Sequence, residues 1–282
     1  MATKQEEKQS SGLYTNVQNV KVYYEWYKHP EPKATVVFIH GFLSSAFSFR
    51  KIIPLIIKDF SAIALDLPGF GKSEKSLTFY YSYQNYGKLI IEIISKLKLK
   101  KVILAGHSMG GQIALFTAKQ APEIIDKLIL IASSGYYRKA RRSAVIFSYL
   151  PFFSWFVKQW VEGTKDIRQH FVNDLIDKTL LNDDLINGYA KPFYEKNFYK
   201  SMIRLMRHRE GDLSQQELKK IDTPSILIWG REDKSVPLVI AERLKSDLSN
   251  SRLVVVDNAG HLICEEKPEE ISKELFNSVP IR

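Results

Sequence analysis

KVILAGHSMGG, residues 101–111, is an apolar, β-branched run that breaks at Gly106, passes through Ser108 and meets Gly110 and Gly111. A continuous apolar run of this kind is a strand buried on both faces. The glycines two residues either side of the serine leave room for a sharp, strained turn, and the residues from about Gly111 onward have helical character. Strand, tight turn and helix in that order are the context that a nucleophile elbow requires, with the serine hydroxyl presented at the end of the strand.

Further runs of the same type lie on both sides: ATVVFIH (34–40), SAIALD (61–66), DKLILIA (126–132), SILIWG (225–230) and RLVVVD (252–257). Stretches of helical period separate them, including Tyr83 to Leu97, apolar at Tyr86, Leu89, Ile90, Ile93, Ile94 and Leu97, and Gln112 to Lys119. Strands that alternate with helices predict an α/β protein with a parallel sheet covered on both faces. The alternating Val17, Val20, Val22, Tyr24 and Trp26 predict antiparallel edge strands instead.

The alternation lapses once, from Ser133 to about Lys220, where the pattern is helical and aromatic. This insertion leaves the C-terminal edge of the sheet and returns to it, so it is placed to cover a site at that edge. Residues 136–220 hold 16 Lys and Arg against 10 Asp and Glu, which accounts for +6 of the chain's net +10.

Composition narrows the class. The chain has 282 residues, 45% hydrophobic and 26% charged, as in an ordinary globular protein. Its single cysteine, Cys264, excludes an internal disulfide framework and any multi-cysteine metal site, and is expected to pack in the core. The N-terminal MATKQEEKQSSG has no apolar core of the kind a secretory signal carries, so a cytoplasmic location is expected. The most apolar stretch, Ala144 to Val161, is interrupted by Pro151, Lys158 and Gln159 and makes a poor membrane span.

A serine nucleophile requires a base and an orienting acid. Asp233 in GREDKSVP follows the strand run SILIWG, and His261 in DNAGHLICEE follows RLVVVD, so both fall at the sheet edge where Ser108 is expected. An oxyanion hole needs two convergent backbone N–H groups, for which Met109, after the nucleophile, and Phe42, in the early loop His40-Gly41-Phe42-Leu43, are the candidates. His40 is expected to brace that loop and His107 to support packing.

HGFLSS (40–45), DLPGFGKS (66–73), GHSMGG (106–111), GREDKSVP (230–237) and GHLICEEKPEE (260–270) together resemble the α/β-hydrolase superfamily, in its capped, carboxylesterase-like serine-hydrolase branch. The resemblance implies an eight-stranded, mostly parallel sheet with a helical cap inserted after the sixth strand. It divides the chain into a first core part (1–134), the cap (135–220) and a second core part (221–282), and assigns Ser108, Asp233 and His261 as the triad. It also makes Asp66 and Ser73 structural hydrogen-bonding residues. That suits the failure of Gly71-Lys72-Ser73 as a phosphate-binding loop, whose first glycine would have to stand where Asp66 does.

In the cap, the basic cluster Arg138, Lys139, Arg141 and Arg142 precedes Phe152, Phe153, Trp155, Phe156 and Trp160. These aromatics are expected to line a pocket for an apolar acyl or aryl group. Two other readings stay open: a small cap core, and weak docking of the basic aromatic segment on anionic lipid.

The expected activity is carboxylic ester hydrolysis on a small to medium apolar ester, without cofactor or metal. The same triad in relatives also serves carbon–carbon hydrolysis and menaquinone-pathway-type lyase chemistry, for which Arg204, Arg207 and Arg209 are candidate hydrogen-bond donors to an anionic substrate. A ligand receptor on a hydrolase scaffold is the alternative of another class. No nucleic-acid partner is expected, since no recognition module is present. The sequence leaves oligomeric state open.

Overall fold

The computed structural model describes residues 11–163, 172–190 and 195–279. Each β-branched run forms a strand: β1 (Ser11–Val17), β2 (Val20–Tyr27), β3 (Thr35–Ile39), β4 (Ser61–Leu65), β5 (Val102–His107), β6 (Ile125–Ile131), β7 (Ser225–Gly230) and β8 (Ser251–Val256). They make one eight-stranded sheet in the order β1-β2-β4-β3-β5-β6-β7-β8. The strands from β4 to β8 in that order all pair in parallel. The N-terminal hairpin joins antiparallel through β2 on β4.

Burial follows from layering. Every residue of β4, β5 and β7 is buried, because helices cover both faces. After the short helix α1 (Ile53–Ile56), the helix α2 (Tyr83–Lys96) turns Tyr86, Leu89, Ile90, Ile93 and Ile94 inward, and Ser82 caps it by accepting the Asn85 N–H at 3.1 Å. The helix α3 (Met109–Gln120) buries ten of its residues, from Met109 through Ala118, which is why its sequence is apolar nearly all round.

Strand order reverses at β3, which lies between β4 and β5. A parallel sheet opens a crevice at such a switch point, outside the carboxyl ends of its strands. Ile39 pairs with Gly106, so the loop after β3 and the turn after β5 leave the sheet side by side.

Between β6 and β7 the described residues contribute no strand to the sheet. They form α4 (Arg142–Phe147), α5 (Phe153–Gly163) and the helices Asp183–Ala190, Phe198–His208 and Gln215–Leu218. The two ends of this excursion are tied together. Arg138 bridges Gly211, the Asp212 N–H donates to the Tyr137 carbonyl at 2.8 Å, and the Tyr137 N–H donates to Asp212 Oδ2 at 3.1 Å. Among the described residues no helix is long and apolar enough to cross a membrane.

Candidate active site

Ser108 occupies φ 53°, ψ −119°, a backbone region that side chains with a Cβ rarely enter. The turn is clamped on both sides: the Ser108 N–H donates to the Ile131 carbonyl at 3.0 Å, and the Ser108 carbonyl accepts from Gly111 at 2.9 Å and Ser134 at 3.0 Å. A Cβ at Gly106 would lie 2.4 Å from the Gly110 oxygen, and one at Gly110 would lie 2.1 Å from the Ile39 oxygen. The glycine spacing is therefore a steric requirement of bringing β5, α3 and the end of β3 together. Ser108 itself keeps partial access to solvent.

The structure brings Ser108, His261 and Asp233 into one hydrogen-bonded chain. His261 Nε2 is 3.0 Å from Ser108 Oγ, and His261 Nδ1 is 2.8 Å from Asp233 Oδ2. The other carboxylate oxygen, Asp233 Oδ1, accepts the N–H groups of Ser235 (2.9 Å) and Val236 (2.8 Å), so the buried acid is satisfied on both sides and its orientation is fixed. With the Nδ1 proton donated to Asp233, the Nε2 lone pair faces the serine hydroxyl, as a general base requires.

Met109 follows this serine, and the loop that carries Phe42 approaches it through Gly41. Gly41 allows the approach, since a Cβ there would lie 3.0 Å from Ser108 Cβ. Met109 is the first residue of α3, where an N–H has no intrahelical acceptor, and among the described residues the Phe42 N–H also has no acceptor. The Phe42 ring is 51% exposed and edge-on to Phe70.

His40 braces the loop as expected: its Nδ1 donates to the Gly41 carbonyl at 2.7 Å and its Nε2 accepts the Leu67 N–H at 3.0 Å. Complete burial holds its pKa down to about 4, so the ring stays neutral. Asp66 Oδ1 accepts the Ala46 N–H at 2.7 Å and Oδ2 accepts the Lys72 N–H at 2.6 Å, while Ser73 Oγ donates to the Asp66 carbonyl. Burial pushes the Asp66 carboxyl up to about 6 despite those two donors.

Several supporting groups escape sequence reasoning because their contacts span long stretches of chain. His107 Nε2 donates to the His261 carbonyl at 2.9 Å, and burial, with His261 alongside, lowers its pKa to about 3. Glu266 Oε2 accepts the Gly260 N–H at 2.7 Å while its Oε1 accepts from Ile176 and Asp177, and the Leu262 N–H donates to the Asp174 carbonyl at 3.1 Å. The loop that carries His261 is thus held from beneath by His107 and tied to the excursion between β6 and β7. The only hint in the sequence was the charged run CEEKPEE that follows the histidine.

Of the aromatics expected to line a pocket, Phe152, Trp155 and Phe156 are 75%, 54% and 61% exposed, so these three are not enclosed, and Phe153 is partly buried. The side chain of Trp160 lies outside the described residues. Of the three arginines, Arg207 donates to Ser148 Oγ at 2.7 Å and covers the Tyr149 ring, and Arg209 bonds the Arg138 carbonyl at 2.9 Å and the Tyr83 hydroxyl. Arg204 keeps a buried Nε without a partner. Cys264 is buried, and burial raises its thiol pKa, which suits a packing role. Among the described residues no group of three or more His, Cys, Asp or Glu is arranged to hold a metal ion.

Comparison with known proteins agrees with this architecture. A family model described as alpha/beta hydrolase fold matches residues 34–268. The chain is 47% identical over 263 residues to the uncharacterized hydrolase YugF of Bacillus subtilis, a match covering 93% of this chain and 96% of that one. It is 29% identical over 251 residues, 82% of each chain, to a 2-hydroxy-6-oxononadienedioate/2-hydroxy-6-oxononatrienedioate hydrolase of Pseudomonas putida. Among solved structures, a meta-cleavage product hydrolase from Pseudomonas fluorescens superposes with a TM-score of 0.77 at 22% identity, covering 95% of this chain and 97% of that one.

Proposed function

Because the chain belongs to the alpha/beta hydrolase fold family, we propose that it is a serine hydrolase whose substrates are carboxylic esters with a small to medium apolar acyl group. The observation that supports this reading most directly is the chain from Ser108 Oγ through His261 to Asp233, at 3.0 Å and 2.8 Å. Ser108 Oγ attacks the ester carbonyl carbon as His261 Nε2 takes its proton. Asp233 holds the imidazole in the required tautomer and stabilises its cation. The Phe42 and Met109 N–H groups receive the tetrahedral oxyanion. The imidazolium then protonates the leaving alkoxide, and water, deprotonated by the same imidazole, releases the acid and restores the serine. The exposed Phe42 ring favours an apolar acyl group at the mouth of the site. Residues 135–220 act as the cap in this scheme.

The test is intact-mass spectrometry after treatment with a fluorophosphonate, followed by turnover of p-nitrophenyl esters of increasing chain length. One adduct on the wild type, none on Ser108→Ala, and multiple turnovers are expected. Labelling of Ser108→Ala, or full esterase activity in that variant, overturns the assignment.

Carbon–carbon hydrolysis is the second reading, favoured by the Pseudomonas putida relative's name. A 2-hydroxy-6-oxodienoate consumed at least tenfold more efficiently than any p-nitrophenyl ester would establish it over ester hydrolysis.

A further inference from the structure

The helix α4 buries none of its six residues, although Ala144, Val145, Ile146 and Phe147 make up two-thirds of it. The exposed apolar surface continues past its end: between Ile146 (70% exposed) and Phe156 (61%), seven large apolar or aromatic side chains are more than half exposed. Single exposed apolar residues are ordinary, but a run of them within eleven positions is a surface that needs a partner.

The projection is held in place. Ser148 is buried, and Arg207 fixes it through the Ser148 Oγ and carbonyl while its guanidinium packs 3.8 Å from the Tyr149 ring centroid. The turn at Ser148 is therefore anchored on the helix Phe198–His208 while Leu150 and Phe152 point to solvent at 56% and 75% exposure.

Charge identifies the partner. Arg138, Lys139, Arg141 and Arg142 enter α4, and Lys158 lies on α5; all five are exposed. Residues 136–163 contain one acid, Glu162. An apolar, aromatic-rich face bordered by basic side chains matches a bilayer surface, whose acyl boundary takes the rings and whose anionic headgroups meet the cations. A second copy of this chain would bring the same cations together, and a soluble acidic protein would leave the apolar face unmatched.

We propose that the segment from Arg138 to Lys158 docks the protein reversibly on anionic lipid membranes. The docking is independent of the ester-hydrolase reading, because it requires neither Ser108 nor turnover.

The experiment is co-sedimentation of the full chain with phosphatidylcholine vesicles containing 0 or 30% phosphatidylglycerol, at 50 and 300 mM salt. Wild type is expected to partition onto the anionic vesicles at least tenfold more strongly than onto the neutral ones, and less at high salt. Arg141→Gln with Arg142→Gln should lower anionic binding roughly 25-fold, at about fivefold per cation. Ile146→Ser with Phe147→Ser and Leu150→Ser should abolish it, with circular dichroism unchanged because these side chains are exposed. Three results would overturn the proposal: no sedimentation of wild type at 50 mM salt, sedimentation insensitive to both sets of substitutions, or a dimer in sedimentation velocity that the apolar substitutions dissociate.

Discussion

Replacing Ser108 by glycine should make the protein more stable than replacing it by alanine. Both changes delete the hydroxyl that meets His261 at 3.0 Å, so the loss of that contact cancels in the comparison. They differ in the Cβ, which alanine keeps at φ 53°, ψ −119°. A residue with a Cβ held in such a region costs about 1–3 kcal/mol, while glycine adds roughly 0.5–1 kcal/mol of chain entropy to the unfolded state. The difference leaves about 1 kcal/mol in favour of Ser108→Gly, or a melting temperature higher by about 2–4 °C than that of Ser108→Ala. Calorimetry at one scan rate, supported by urea midpoints at equal slope, measures it. Both variants should be inactive. Equal melting temperatures, or a less stable glycine variant, would refute the idea that β5, α3 and the clamp from Ile131 and Ser134 hold Ser108 in a strained conformation.

Other expectations follow from the same geometry. Asp233→Asn should lower kcat by about 10⁴ with KM nearly unchanged, since an amide at this position favours the wrong imidazole tautomer; a loss below tenfold on p-nitrophenyl esters would remove Asp233 from the mechanism. His107, held neutral to about pH 3 when folded, takes up a proton near pH 6.5 when unfolded, so the unfolded state binds more protons between those values and stability is lost as pH falls through that window. His107→Gln should therefore lose about 2 kcal/mol less than wild type between pH 7 and pH 5. Urea midpoints of the two proteins should converge or cross toward acid, and parallel profiles would contradict the assignment. Asp66 acts in the opposite sense, because a carboxyl raised to about 6 favours the folded state as pH falls, and the comparison with wild type cancels its contribution. Gly110→Ala should lower stability by about 3 kcal/mol or more, because its Cβ would lie 2.1 Å from the Ile39 oxygen and the backbone would have to move; a soluble variant with an unchanged melting temperature would show that the turn is looser than these distances imply.

The parts of the molecule legible in the sequence are those set by local chemistry. An uninterrupted β-branched run can be buried only between two layers, so SAIAL and SILIWG read directly as interior parallel strands. Glycines two residues either side of Ser108 mark the tight turn by their spacing, although the atom that a Cβ at Gly110 would meet is the Ile39 oxygen at the end of β3, and Asp233 and His261 could be placed because each follows a strand run at the same sheet edge. Tertiary structure decided what depends on partners far along the chain. His107 meets the His261 carbonyl 154 positions away, and nothing in the order of residues distinguishes that contact from simple packing. The aromatics between β6 and β7 show the same limit from the other direction: a stretch as apolar as Ala144 to Val161 reads as interior or pocket lining, and only the packing of the neighbouring elements determines that Phe152, Trp155 and Phe156 are more than half exposed. Local sterics and burial are written into consecutive residues, whereas the direction a helix turns its side chains is set by the surface it meets.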